Sequence, residues 1–183
     1  MKLFIASDIH GSMHYCSMML DAYKRENADK LVLLGDILYH GPRNDLPEEY
    51  NPKAVIEALN NISDEIICVR GNCDTEVDQM VLSFPVLADY SVIFDGDIVI
   101  YLTHGHDRET LENNLPSGSY LLCGHTHIPT AEKCGNHIYL NPGSVSIPKE
   151  GSQHGYMIYE DGMFIWKNLA GDRYKTLKAG DEI

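Results

Sequence analysis

Apolar residues come in short blocks along this chain, and the period of the blocks changes midway. Residues 2–6 (KLFIA) are a brief apolar run that predicts a buried strand, and residues 31–34 and 66–69 predict two more. Residues 13–23 repeat their apolar positions at helical spacing. Pro52 suits the first turn of a second helix, with Val55, Ile56 and Leu59 on one face. The first half therefore reads β-α-β-α-β, which implies a parallel sheet with right-handed crossovers. The second half alternates over shorter distances. Residues 91–94 and 98–102 flank Asp95-Gly96-Asp97, residues 133–134 and 137–140 flank Gly135-Asn136, and residues 156–159 and 163–166 flank Asp161-Gly162. Each is a hairpin signal, so antiparallel or mixed sheet is expected there. An α/β fold of two facing sheets with helices outside buries all of these strands.

No repeat, low-complexity tract or Gly/Ser linker interrupts the 183 residues, so residues 1–183 read as a single domain. A formal net charge of −13 repels phosphate backbones, so no stable nucleic-acid binding is expected. The start, MKLFIASDIHG, lacks the cleavage pattern of a signal peptide, and no apolar stretch approaches the roughly 20 residues that span a bilayer. The 5 cysteines are odd in number and show no CxxC spacing, which argues against a disulfide framework or a thiolate zinc site. A cytoplasmic protein without membrane partners is the expectation.

Chemistry is concentrated where strands end. The first ends in Ser7-Asp8-Ile9-His10-Gly11, the second in Gly35-Asp36 and the third in Gly71-Asn72-Cys73-Asp74. Residues 98–102 run into Thr103-His104-Gly105-His106, and residues 120–123 into Gly124-His125-Thr126-His127. A single Asp after a strand is ordinarily a turn or cap residue. Successive strand ends that each present Asp, His or Asn beside Gly point to one shared cavity, because ligands of α/β sheets bind outside the carboxyl ends of strands. The candidates are Asp8, His10, Asp36, Asn72, His104, His125 and His127. Carboxylate, imidazole and amide donors without thiolate suit Mn²⁺, Fe²⁺, Ni²⁺ or Zn²⁺, with Mn²⁺ preferred here. So many donors exceed one tetrahedral site and suit two ions sharing a carboxylate. Two ions about 3.5–4 Å apart clamp an in-line displacement at phosphorus and lower the pKa of bound water from about 15.7 toward 7.

Asp-x-His, Gly-Asp, Gly-Asn-x-Asp, Gly-His and Gly-His-x-His, in that order and followed by Asn141-Pro142-Gly143-Ser144, resemble the calcineurin-like metallophosphoesterase family. The stretches HGPRN, VRGNCDTEVDQM and NPGSVSIPK are similar to those of its small bacterial phosphodiesterases. The resemblance implies an α/β/β/α sandwich of two mixed sheets flanked by helices. It assigns one metal to Asp8, His10 and His127, the other to Asn72, His104 and His125, and the bridge to Asp36. It also implies hydrolysis by direct attack of a metal-bound hydroxide; Asp36, Asn72, His104 and, in the position after Asn72, Cys73 are the catalytic candidates of this chain.

Cys73 is the main departure. Many family members carry at this position a His that protonates the leaving group. A thiol is a poor hydrogen-bond donor, so substrates with poor leaving groups should suffer, and a small or oligomeric phosphodiester is the expected substrate. The alternatives are a phosphomonoesterase or protein phosphatase, and a non-catalytic scaffold like the retromer subunit of the same fold. Arg43 and Asn44 are candidate substrate contacts, with Arg43 alternatively pairing with Asp45. Asp74 is expected to support a ligating His or to cap the segment after Thr75. His106 could face cavity or solvent, Arg70 is expected at the surface, and His14 and His137 read as structural or exposed. Hairpin edges near the C-terminus suit a homo-oligomer contact.

Overall fold

The computed structural model describes residues 1–181, so the last two positions of the expected domain lie outside the described residues. Six strands form the first sheet: β1 (Lys2–Ala6), β2 (Lys30–Leu33), β3 (Ile66–Cys68), β9 (Gly155–Glu160), β10 (Met163–Asn168) and β11 (Arg173–Lys178), in the order β11-β10-β9-β1-β2-β3. The second sheet holds β4 (Tyr90–Asp95), β5 (Ile98–Thr103), β6 (Tyr120–Leu122), β7 (Thr130–Cys134) and β8 (His137–Asn141), in the order β4-β5-β6-β8-β7. Both sheets are mixed. β1, β2 and β3 run parallel, as do β5, β6 and β8, while the three expected hairpins supply antiparallel pairs.

The period-2 pattern explains the layering. Leu3 and Ile5 of β1 turn to the inter-sheet core with Val32, Leu102, Leu122, Leu140 and Trp166. Phe4 and Ala6 turn the other way and pack on α1 (Met13–Glu26) and α2 (Pro52–Asn60) through Cys16, Met19, Val55 and Leu59. Strands buried on both faces read as continuous apolar runs, which is why their sequence signal is so plain. Trp166 is fully buried, and its Nε1–H donates to the Asn141 carbonyl at 2.7 Å, tying one sheet to the other.

Local chemistry sets the helix ends. The Ser12 hydroxyl accepts the Tyr15 N–H at 3.3 Å to open α1, and the Asn51 amide oxygen accepts the Ala54 N–H at 3.2 Å ahead of Pro52. The helix α3 (Glu76–Val81) opens with a reciprocal capping box between Thr75 and Asp78. The fourth layer is thin. Leu115, Leu121, Cys123 and Tyr139 cluster on the outer face of the second sheet beside the one-turn helix α4 (Glu109–Glu112). Among the described residues, no helix is long and apolar enough to cross a membrane.

Candidate active site

The parallel trios β1-β2-β3 and β5-β6-β8 bring their carboxyl ends to one edge of the sandwich. The loops that leave them carry every predicted candidate. Asp8, His10, Asp36, His125 and His127 all adopt left-handed backbone, with φ of 59°, 49°, 57°, 64° and 63°. Such non-glycine conformations are sparsely populated and cost about 1–3 kcal/mol each. Their concentration here shows strain held by the surrounding fold.

Three imidazoles are fixed in the same way. Nδ1 of His10 lies 2.8 Å from the Tyr39 carbonyl, that of His104 2.7 Å from Leu34, and that of His127 2.6 Å from Ile147. A carbonyl only accepts, so each Nδ1 carries a proton and each Nε2 points inward. There they meet other acceptors. His10 Nε2 is 3.4 Å from His127 Nε2, and 3.6 Å from both Asp8 Oδ1 and Asp36 Oδ2. His127 Nε2 is 3.2 Å from Asp8 Oδ1, and His104 Nε2 is 3.4 Å from Asp36 Oδ2 and 3.0 Å from Asn72 Oδ1. Asp8 Oδ1 is buried and accepts no aligned hydrogen bond.

Lone pairs and carboxylates packed this way repel one another unless cations intervene. Protons can serve. Burial alone would lower the His104 pKa, but the Asp36 hydrogen bond and the Asp8 and Asp36 charges push it up to about 9. Burial likewise opposes the charge of His10, and Asp8 outweighs it and raises that pKa. Asp8 sits well below the usual carboxylate range because His10 and His127 overcome its burial. A divalent ion meets the same demand with a matching donor set. The residues present therefore fit metal, with Asp8-His10-His127 and Asp8-Asp36-His104 as groups whose ligand atoms lie within 4.8 Å of one another. Asn72 joins through His104, and the His125 ring stands 5.1 Å from that of His104, centroid to centroid.

Asp74 proves to be a backbone organiser. It neither accepts from a histidine nor caps α3, whose cap is Thr75. Its carboxylate accepts the N–H groups of Asp36, Ile37 and Gly71 at 2.8, 2.9 and 2.7 Å. Asp36 in turn accepts the Cys73 N–H at 2.8 Å through Oδ1, leaving Oδ2 for the imidazoles. The two loops touch so closely that a Cβ on Gly71 would overlap the backbone and carboxylate of Asp36. Asn141-Pro142-Gly143-Ser144 supports the opposite side. The Asn141 amide donates to the Gly124 carbonyl at 2.6 Å, and the hydroxyls of Ser144 and Ser146 both donate to the Asp8 carbonyl, at 2.9 and 3.0 Å.

Above the cluster lies a cavity of about 500 Å³, whose wall includes Arg43, Asn44, Cys73, Thr126 and Lys149. Asn44 spends its amide N–H₂ on the His40 carbonyl at 2.8 Å, shaping the loop that presents Arg43. Lys149 escaped sequence reasoning, although it closes the NPGSVSIPK stretch. The three carbonyls that orient the imidazoles carry no side-chain signal at all. His106 is exposed and lines a separate depression beside Asp89 and Tyr90. His154 stacks on Tyr15 with centroids 3.9 Å apart, and His137 contacts Glu112, so both sit outside this edge.

A sequence profile of the calcineurin-like phosphoesterase superfamily domain matches residues 1–161. The chain belongs to this superfamily. Phosphodiesterase YfcE of Escherichia coli strain K12 is 48% identical over 159 residues, which span 85% of this chain and 85% of YfcE. A solved structure of that E. coli phosphoesterase aligns with a TM-score of 0.90 and 42% identity, covering 98% of this chain and 100% of the other. Vps29 of Entamoeba histolytica complexed with Zn²⁺ has a TM-score of 0.64 at 20% identity, covering 98% of this chain and 100% of Vps29, and shares the fold alone. The superfamily is one of phosphoesterases, and the α/β/β/α expectation holds.

Proposed function

We propose that this chain is a dimetal phosphodiesterase. The observation that carries the reading is the inward convergence of Nε2 atoms and carboxylates, with Asp36 Oδ2 lying 3.6 Å from His10 and 3.4 Å from His104. That position between the two groups supports Asp36 as the bridge. Asp8, His10 and His127 would hold one ion, and Asn72, His104 and His125 the other. We take Mn²⁺ as the proposed ion, with Fe²⁺, Zn²⁺ or Ni²⁺ as alternatives, because the set mixes carboxylate and amide oxygens with imidazole nitrogens. When bound, the pair supplies Lewis acidity and water acidified toward neutral pH. Carbonyl-anchored Nδ1 groups keep the Nε2 atoms aimed, and Asp74 fixes the backbone of Asp36. Arg43 and Lys149 line the cavity wall, which supports them as contacts for non-bridging phosphate oxygens.

Diester preference follows from Cys73. Burial and the carboxylates of Asp36, Asp74 and Asp8 push its thiol pKa up to about 12 before any cation offsets those charges. A thiol at its ordinary value of about 8.5 is already mostly protonated at neutral pH. A neutral thiol is a weak donor to a poor leaving group. YfcE and the Methanocaldococcus jannaschii protein MJ0936, 25% identical over 151 residues, are both named phosphodiesterases, which supports this substrate class. EDTA should abolish hydrolysis of a model aryl phosphodiester, and Mn²⁺ should restore it. Full turnover by metal-free protein would end the proposal. The rival reading, a phosphomonoesterase, turns on the same position. Cys73→His should move the monoester-to-diester rate ratio toward monoesters by about 10-fold or more, a part of the roughly 10²–10⁴-fold that one acid catalyst supplies. An unmoved ratio would remove Cys73 from the account of specificity.

A further inference from the structure

A second cluster lies on the outer face of the second sheet. There β7 and β8 turn through Gly135-Asn136, and their register sets Cys134 directly opposite His137. Opposed residues of an antiparallel pair project from the same face. Glu112, at the end of α4, meets them, and the thiol sulfur, an imidazole nitrogen and a carboxylate oxygen all lie within 4.8 Å of one another.

The hydrogen bonds around His137 leave one demand unmet. Asn136 Nδ2–H donates to the Leu115 carbonyl at 2.9 Å, which turns Asn136 Oδ1 toward His137 Nδ1 at 3.3 Å. On the other side of the ring, Glu112 Oε1 lies 3.2 Å from Nε2. Both neighbours are acceptors, and a neutral imidazole has one N–H to offer. Only an imidazolium or a cation at Nε2 satisfies both. Arg108 Nε is 3.3 Å from Glu112 Oε2, so it occupies the other oxygen and leaves Oε1 turned to the cluster. A cavity of about 360 Å³ opens directly on Glu112, Cys134 and His137, with room for solvent at a further coordination position.

We propose that Cys134, His137 and Glu112 form a separate site for a borderline-soft divalent cation such as Zn²⁺, with water as fourth ligand. Sulfur, nitrogen and oxygen donors arranged around an open position are a set that Zn²⁺ accepts. Binding releases the Cys134 thiol proton to solvent and leaves the imidazole N–H on Nδ1, donated to Asn136 Oδ1. No electron is transferred. A bond from Nε2 to the metal backed by a hydrogen bond at Nδ1 is the usual support of a ligating histidine. The site pins the β7–β8 hairpin to the segment that crosses the outer face between β5 and β6. The absence of CxxC spacing argues against a thiolate zinc site at the level of sequence, but here one thiolate is joined by donors from α4 and β8. The site does not rest on the phosphodiesterase reading, whose ligands include no thiolate.

Cobalt titration of the reduced full-length protein tests this. Co²⁺ bound by a thiolate gives a near-ultraviolet sulfur-to-metal charge-transfer band. The band should appear in the wild type, disappear in Cys134→Ala and persist in Cys73→Ala. Absence of the band at saturating Co²⁺, or its loss in Cys73→Ala alone, would overturn the proposal. Should Cys134→Ala fail to fold, persistence of the band in Cys73→Ala, together with protection of Cys134 from alkylation, decides the question. Zn²⁺ should slow iodoacetamide alkylation of Cys134 by at least about 10-fold, read by peptide mass mapping, and an unchanged rate would overturn the site equally.

Discussion

Asp36 accepts the Cys73 N–H through one oxygen and faces two imidazoles with the other, while Asp74 holds its own N–H. Those contacts set it between the His10 and His104 imidazoles, which is the position of the bridge in the proposed dimetal site. Asp36→Asn keeps the shape but halves the acceptor capacity and removes the charge. Turnover should fall by roughly 100-fold or more, the scale of losing one well-placed electrostatic group. Near-normal turnover in a correctly folded variant would refute the bridging role. The candidate residues themselves were legible because Asp, His or Asn recurs beside glycine at successive strand ends. What could not be read was how each imidazole is aimed. That depends on the Tyr39, Leu34 and Ile147 carbonyls, and every residue has a carbonyl.

Elements show the same division. Residues 2–6, the Pro52 helix and the three hairpins were legible from period and turn chemistry, and their boundaries fall within a few residues of expectation. β11, with the sequence RYKTLK, escaped because an exposed edge strand needs no apolar run. α4 escaped because one turn of helix has no period to detect. Element junctions also set acid stability. Glu26, at the end of α1, accepts from Lys167 at 2.6 Å and from the Tyr156 hydroxyl at 2.7 Å, with Lys2 at 3.7 Å. Burial opposes its charge, but the Lys167 and Tyr156 hydrogen bonds and the two lysine charges hold its pKa below the usual value of 4.5. A depressed folded-state pKa gives stability that is present above the unfolded value and lost as pH falls through the folded one. Lys167→Met should therefore cost about 1.5–3 kcal/mol at pH 7, the range for hydrogen bonds to charged groups. The difference should shrink as the pH is taken below 4.5. Urea unfolding of both proteins at each pH checks this, and a pH-independent difference would show that the carboxylate is not the cause.

At the scale of the whole molecule, the sequence by itself determined the core strands, the two long helices, the three hairpins and the candidate residues at the strand ends. Each of these is written in the chain itself, in apolar period, turn residues and the recurrence of Asp, His or Asn beside Gly at successive strand ends. Tertiary structure alone decided which atoms meet. Asp8 and His127 are far apart in the chain, yet their side chains come within 3.2 Å because two sheets close on one core and the carboxyl ends of their parallel strands share an edge. Likewise Glu112 reaches Cys134 and His137 only because the outer face of the second sheet folds a one-turn helix against a hairpin. Local patterns specify backbone direction and which face is buried. The lone-pair geometry of a site depends on distances between segments remote in sequence, and those are set only when the cores have packed.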